Sequence, residues 1–304
     1  MNRRILVTLS ALLLLGTRLV LAQAGASGMP LLKIGATARD VGMGYVVALA
    51  DGPAAVQGNP AGLQSVDTPR TMHLLFTHQE WIQDTRTEFL GASFPLGANQ
   101  TLGLSLLTTT VADIEIRTRP GPAEGTFTSR DLAIGLSYAR TIGNEIRLGV
   151  TGRFLYEKIL VNEATGISFD AGIRAPLPIA DLDAGIAILN LGSMTVLQSQ
   201  STVLPALARA GLGYTLLRSQ DMDLRVEGDV VRVFPEKRFY AGLGGEFWFY
   251  NMVVLRAGNE FGSEGRGFGA GLGVQYGLFS LDYAFASLNQ DLGSTHTFTL
   301  GLTL

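Results

Sequence analysis

From Arg70 onward the chain alternates with period two, and few folds tolerate that over such a length. In Met222–Val230 the even positions read Met222, Leu224, Val226, Gly228 and Val230, the odd ones Asp223, Arg225, Glu227 and Asp229. Side chains of a strand point to opposite faces in turn, so this segment has one oily face and one ionised face. Glu145–Tyr156 repeats the pattern, with Ile146, Leu148, Val150, Phe154 and Tyr156 set against Glu145, Arg147, Thr151 and Arg153. At the end of the chain Phe298, Leu300, Leu302 and Leu304 face away from Thr297, Thr299, Gly301 and Thr303. About fourteen such segments follow one another, near 71–81, 85–95, 100–111, 126–140, 144–157, 165–175, 182–191, 206–217, 221–232, 237–249, 252–261, 266–276, 277–287 and 294–304. Most are about ten residues long, the length of a tilted strand that crosses a bilayer. After Ala24 no uncharged apolar stretch approaches the ~18 residues of a membrane helix, which excludes a helical bundle.

The linkers test this independently, because outer-membrane barrels alternate short periplasmic turns with longer external loops. Short links fall at Leu96–Asn99, Thr141–Asn144, Arg218–Gln220, Tyr250–Asn251 and Tyr276–Gly277. Longer ones fall between them, at Ala112–Gly125, Lys158–Ala164, Gly192–Pro205 and Ser287–Gly293. Ala175–Asp181 is long for a tight turn, and Trp81–Asp84, Val233–Glu236 and Gly262–Gly265 are short for external loops. The expectation is an all-β chain forming a single transmembrane β-barrel of about 14 antiparallel strands. A soluble sandwich or propeller would also alternate, but no blade-length repeat is present. Composition sides with the barrel: 38 of 304 residues are Gly and only 16% are charged. The row Gly267, Gly269, Gly271, Gly273 would weaken an exposed soluble strand, whereas on an inner wall it makes room for contents.

The first residues read as an address. Asn2, Arg3 and Arg4 form a basic start, Ile5–Thr17 is uncharged, and Ala22-Gln23-Ala24 supplies a cleavage site, so 1–24 is expected to be a signal peptide. Without it the chain carries 20 basic and 26 acidic side chains, a formal charge of −6 that gives no reason to expect nucleic acid. The absence of Cys excludes disulfides, thiolate metal sites and thiol nucleophiles.

Between leader and barrel the pattern changes. Residues 34–63 do not alternate and are dominated by small side chains, which suits a short helical or looped insert in the barrel mouth. The stretch GATARDVGMGYVVALADGPAAVQGNPAGL resembles the N-terminal signature of the PorV/PorQ group of outer-membrane proteins, within the FadL-like superfamily of hydrophobic-compound transporters. His73–Gly97 is similar to that group's first strand pair; beyond it only the architecture agrees. The resemblance implies a 14-stranded barrel with residues 25–69 as a lumenal plug and 70–304 as the wall. The family's Asn-Pro-Ala element maps onto Asn59, Pro60 and Ala61, followed by Gly62; its Gly-x-Gly and Ala-Asp elements map onto Gly42, Gly44, Ala50 and Asp51. It further implies an outer-membrane location in a diderm bacterium, contact with outer-membrane lipid, and either uptake of hydrophobic small molecules or service to type IX secretion-system components. The chain ends on Leu304 where such barrels usually end on an aromatic, a departure that bears on assembly efficiency.

Chemistry is sparse. His73 and His78 are five positions apart and face opposite sides of one strand, so no metal site is expected, and no cofactor. Gly42-x-Gly44 lacks the Lys-Ser/Thr ending of a phosphate loop. Ser294 and His296 share one strand face, the spacing a lipid hydrolase would want, but there is no Gly-x-Ser-x-Gly elbow and the chain is not expected to be an enzyme. Asp170, Arg174, Asp183, Arg209, Asp223, Arg225, Glu227, Asp229, Glu246, Arg256, Glu260 and Asp282 all fall on the polar face. Both signs are present, so they are expected to brace the lumen as ion pairs, with Arg39 and Asp40 as possible latches for the plug. Ile114 and Ile116 in the third-to-fourth loop, with Met194, Val196, Leu197, Val203 and Leu204 in the seventh-to-eighth, are candidates to capture a hydrophobic ligand, or simply loops packed on each other. A structural barrel that conducts nothing is the competing reading.

Overall fold

A computed structural model describes residues 26–64, 71–143 and 145–304; the expected leader lies outside the described residues. The barrel strands are β1 (His73–Glu80), β2 (Thr85–Pro95), β3 (Gln100–Ile116), β4 (Gly125–Ile142), β5 (Ile146–Ile159), β6 (Asn162–Pro176) and β7 (Leu182–Met194). A two-residue hairpin, β8 (Val196–Leu197) and β9 (Gln200–Ser201), follows. The wall resumes with β10 (Leu207–Arg218), β11 (Met222–Val233), β12 (Arg238–Phe249), β13 (Val253–Phe261), β14 (Arg266–Tyr276), β15 (Phe279–Leu288) and β16 (Ser294–Thr303). Among the described residues, fourteen strands close into one barrel, each antiparallel to the next, and β1 seals the ring by pairing with β16 from His73↔Thr303 to Glu80↔His296. Closure leaves no free edge, the condition for a sheet in lipid.

The oily rows look outward. Phe268 and Leu272 are 50% and 46% exposed, and Val230, Leu243, Phe298 and Leu300 are exposed with them. A sandwich would have buried them in a dry centre. Their neighbours on the opposite parity are buried: Glu227, Asp229, Thr297 and Thr299.

Tight turns and the two barrel ends share one rim, where Met72 and Leu304 exchange backbone hydrogen bonds of 2.9 and 2.8 Å. In outer-membrane barrels the rim of tight turns, the turn rim, is the periplasmic one. The wall is uneven: β3 and β4 have 17 and 18 residues, β1 and β13 only 8 and 9.

Three links differ from expectation. In Gly192–Pro205 the strand β7 runs on until Met194 pairs with Gly166, so Met194 is a strand residue, not a loop residue. The strands around Lys158–Ala164 continue until Ile159 pairs with Asn162, so only Leu160 and Val161 form the turn. The polar residues that look like a loop there are an ion-paired hairpin, Lys158 to Glu163 at 2.7 Å. In Ala112–Gly125 the register slips between Val111 and Ile114, with Asp113 at φ 55°, after which pairing continues as Ile114↔Phe127 and Ile116↔Gly125. The bulge breaks the alternation and hides the extension; Ile114 and Ile116 are strand residues, not loop residues.

Candidate functional site

The segment from 26 to 64 lies within the ring, touching strands around the circumference, and most of its residues are buried. Its local structure is written in caps. Pro30 opens a 3₁₀ turn, Pro30–Lys33. Thr37 and Asp40 cap the short helix Ala38–Gly42 reciprocally: the Thr37 N–H donates to Asp40 Oδ2 at 3.0 Å, and the Asp40 N–H donates to Thr37 Oγ1 at 3.3 Å. Burial pushes the Asp40 carboxyl above its ordinary value, against Arg39 and the Thr37 bonds, which draw it down. Asp40 therefore serves its own helix and is not a latch to the wall.

Asn59 is the corner of the family-like motif. Its Oδ1 accepts from the Ala61 N–H at 3.1 Å, while its Nδ2 donates to the Ala48 carbonyl at 3.1 Å and the Ile173 carbonyl of β6 at 3.0 Å. One amide thus caps the Pro60–Leu63 turn, closes the segment on itself and ties it to the wall. Gly62 sits where a Cβ would lie 2.0 Å from the Ala50 carbonyl oxygen, so the two motif elements meet backbone to backbone. Ala50 and Pro60 are buried at this contact. Gly42 backs onto Gly271, where a Cβ would come within 3.2 Å of the Gly271 Cα, and Gly44 onto Asn259.

The lumen has two chemically distinct halves. On one, Met29, Leu31, Leu32, Val56 and Leu63 pack against Phe89 of β2, Leu107 of β3, Leu155 of β5 and Met194 of β7. Of the residues singled out for hydrophobic capture, Met194 and Leu204 are buried in this cluster and Leu197 packs against it. Val196 and Val203 are exposed, and Ile114 and Ile116 are half-buried on the β3 extension. The structure thus brings three of the seven together, around an N-terminal segment rather than in a free loop. Phe89, Leu107 and Leu155 were not singled out from sequence. Their signal was a single apolar residue on the polar parity of its strand, between Thr87 and Gly91, Ser105 and Thr109, and Arg153 and Glu157.

The other half is ionic, and its pairs join into a chain. Asp51 accepts from Arg174 at 2.8 Å and Arg147 at 3.4 Å; Arg174 lies 3.8 Å from Asp183, which pairs with Arg225 at 2.9 Å. Arg225 reaches Glu227 at 2.7 Å, and Glu227 and Glu246 both hold the Arg39 guanidinium, at 3.2 and 3.0 Å. Glu246 pairs with Arg256 at 3.1 Å, and Arg256 with Asp282. Two links, Asp51 and Arg39, come from the inner segment, so the same network braces strands and fixes the segment. Burial alone would lower the Arg39 pKa, but Glu246 and Glu227 outweigh it and hold the charge.

Above this belt Arg209 pairs with Asp229 at 2.6 Å, whose Oδ2 also accepts from the Val47 and Ala48 N–H groups. Arg153 pairs with Asp170, and Arg266 with Glu260 at 2.8 Å. Asp223 stands apart, held by Arg218 at 3.4 Å toward the turn rim.

At the opposite end of the barrel Ser27 Oγ and Lys33 Nζ both donate to Glu236 Oε1, and the Tyr240 hydroxyl donates to Oε2 at 3.2 Å. Burial raises the Glu236 carboxyl, but the bonds from Lys33 and Ser27 outweigh it and leave it below the ordinary 4.5. A depressed carboxylate stabilises its contacts above the ordinary value, and the benefit is lost as pH falls through the depressed one. The Ser27–Lys33 end should therefore stay docked at neutral pH and loosen in acid below 4.5. Protease access to Lys33 across a pH series checks this, with Glu236→Gln expected to flatten the profile.

The histidines do not converge. Among the described residues no three His, Asp or Glu side chains could together hold a metal. His296 lies on the outer face with its Nδ1 2.8 Å from the Tyr283 hydroxyl and its Nε2 3.4 Å from Ser294 Oγ. The ring stacks on Tyr283, in an aromatic group with Phe285 and Phe298, the composition of an interfacial girdle.

No family model and no curated relative matches the chain. Solved structures do. The toluene transporter TbuX of Ralstonia pickettii aligns at TM-score 0.60 and 13% identity, over 89% of this chain and 98% of that one. The monoaromatic hydrocarbon channel CymD aligns at 0.61 and 12% identity, over 91% and 98%. The toluene transporter TodX of Pseudomonas putida aligns at 0.59 and 11%, over 89% and 97%. What is shared is the fold. A homologue of FadL from Pseudomonas aeruginosa belongs to the same set, at TM-score 0.52 and 13% identity, over 88% and 97%.

Proposed function

We propose that this chain is an outer-membrane barrel of a diderm bacterium that admits hydrophobic small molecules, with residues 1–24 a cleaved signal peptide and 25–69 a lumenal plug. The observation that carries the reading is the apolar half of the lumen. Phe89, Leu107, Leu155 and Met194 line it, and Met29, Leu31 and Leu32 fill it as a ligand of the same chemistry would. A barrel meant only to brace a membrane has no need of an oily chamber beside a charged belt. The solved barrels of this shape, described as toluene and monoaromatic transporters, support the same substrate class.

Cells carrying the chain should accumulate labelled toluene several-fold faster than cells carrying an empty vector. Leu155→Asn, which sets an amide in the chamber, should remove most of that gain while the protein still shows heat-modifiable migration on a gel. Uptake equal to the vector would favour a non-conducting structural barrel. Service to a type IX secretion apparatus is supported by the resemblance of residues 34–97 alone. Its test is co-purification with secretion components from the membrane of the native host; loss of secretion with intact hydrocarbon uptake would favour it.

A further inference from the structure

One edge of the apolar chamber carries a polar group that the fold does not use. Thr77 of β1 is paired with Phe89 of the chamber wall, and Gln79, the next inward residue of β1, lies between Thr87 of β2 and Thr297 of β16. Diagonal neighbours on one face of a strand pair lie within reach of long side chains, so Gln79 stands beside Phe89. It is 1% exposed, yet neither its Nε2 nor its Oε1 has a partner among the described residues. The hydroxyls nearest to it are spent elsewhere: Thr87 on Thr109 at 2.9 Å, and Thr77 on Thr299 at 2.8 Å. The Thr297 hydroxyl and Trp81 Nε1, just past the end of β1, are buried and unmet as well.

The contrast with the other buried amides is sharp. Asn59 and Gln64 are as deeply buried, and each is met at both its nitrogen and its oxygen. Where the fold needs an amide for itself, it satisfies it. An amide left open at both ends carries the full desolvation cost of its polar atoms, so a partner from outside the chain has much to gain there. The partner must both donate, to the Gln79 Oε1, and accept, from the Gln79 Nε2 or the Trp81 Nε1. It must also be uncharged. Among the inward residues of β16, β1 and β2 there is no Asp, Glu, Lys or Arg to meet a charge, and burying one unpaired is prohibitive. A hydroxyl fits these demands, and an ammonium or a carboxylate does not.

We infer that the molecule taken by the chamber carries a single neutral hydroxyl, seated on Gln79 with Thr297 and Trp81 beside it, and an apolar body packed on Phe89, Leu107 and Leu155. A phenol or an alcohol of this kind is preferred over the bare hydrocarbon. The inference rests on the reading that the chamber admits hydrophobic small molecules, and says which of them it selects. Ile34 packs with Trp81 against the cluster of Val41, Ala284 and Ala286, two residues beyond the Met29–Leu32 filling. The movement that empties the chamber thus uncovers the hydroxyl seat.

The test compares p-cresol with toluene, the same body with and without the hydroxyl, by equilibrium dialysis of the full chain in one detergent. A site built to bond a hydroxyl rejects the analogue that lacks it. The native protein should bind p-cresol at least fivefold more tightly than toluene. Gln79→Met, close in shape but unable to donate, should lower that preference at least fivefold while toluene binding holds or tightens, a split that a merely structural residue would not give. Thr297→Val should shift the preference the same way by twofold or more, and Thr297→Ser should keep it native. If Gln79→Met does not give a heat-modifiable barrel, the Thr297 pair decides. Toluene bound as tightly as p-cresol, or a preference unmoved by these variants because resident water alone meets Gln79, overturns the inference and leaves the hydrophobic reading standing. Binding of neither ligand overturns both.

Discussion

Replacing Arg39 with methionine should undock the inner segment while the barrel stays closed. Glu227 is 1% exposed, and with Glu246 it holds the Arg39 guanidinium. Removing one partner of a buried pair leaves an uncompensated charge and costs about 3–5 kcal/mol. Arg225 and Arg256 remain beside the two carboxylates and would relieve part of this, so the lower end is the expected figure. Even ~3 kcal/mol moves the docked–undocked equilibrium by about two decades. The strands themselves keep their ladders, so heat-modifiable migration should survive. Two measurements read the outcome: thermolysin cleavage between 26 and 64, and conductance in a planar bilayer. Both should rise sharply in Arg39→Met. Arg39→Lys should restore part of the protection, because a single cation can still sit between Glu227 and Glu246, although without the guanidinium plane. Arg39→Met combined with Glu227→Gln should be less open than Arg39→Met alone, since the stranded charge is then gone. Native protection in Arg39→Met would mean that the ionic half only braces the wall.

The barrel was legible in the sequence for a physical reason. Lipid outside and a polar lumen inside impose strict alternation, and Leu224 against Arg225 or Phe268 against Gly267 carry that signal without any tertiary information. Strand extent was less legible, because a bulge such as that at Asp113 resets parity and ends the visible pattern while pairing continues to Ile116. The lumen was readable as chemistry but not as partners. Both signs stood on the polar parity, yet nothing in the spacing says that Asp183 bridges Arg174 and Arg225 from different strands, or that Asp51 and Arg39 complete the chain. Asp40 was misjudged because a carboxylate three residues after Thr37 is more economically used as a cap than as a latch. The apolar chamber was the largest omission. Phe89, Leu107 and Leu155 of its wall sit singly on three separate strands, and its filling, Met29–Leu32, lies in a segment whose sequence carries no strand pattern.

Gly258→Val should produce a barrel whose inner segment cannot seat. A Cβ on Gly258 would lie 2.2 Å from the Met43 carbonyl carbon, and one on Gly244 would lie 2.3 Å from the Met43 carbonyl oxygen. On the other side of the contact Gly44 has φ +68°, and its Cβ would meet the Asn259 backbone nitrogen at 2.3 Å. Two backbones therefore touch with no side chain between them, and neither carbonyl nor amide can swing aside as a flexible side chain would. Overpacking costs about 1–3 kcal/mol for an extra group in a tight site, and a branched side chain here lies at or beyond the upper end. Gly44→Ala meets the same wall and adds ~1–2 kcal/mol for an L-residue held in the left-handed region. The two changes share one contact, so their effects should not add. Because β12, β13 and β14 are held by their own ladders, while the segment at Met43 is held by this contact and the ion pairs, the segment is what must move. Thermolysin should then cut within 26–64 in protein that still migrates as a folded barrel. Gly152→Ala is the control: its Cβ points to the outer face, 3.6 Å from the Phe169 ring, and should change nothing. Should Gly258→Val fail to form a barrel at all, the segment would be a template on which the wall assembles, and not an insert that a finished wall receives.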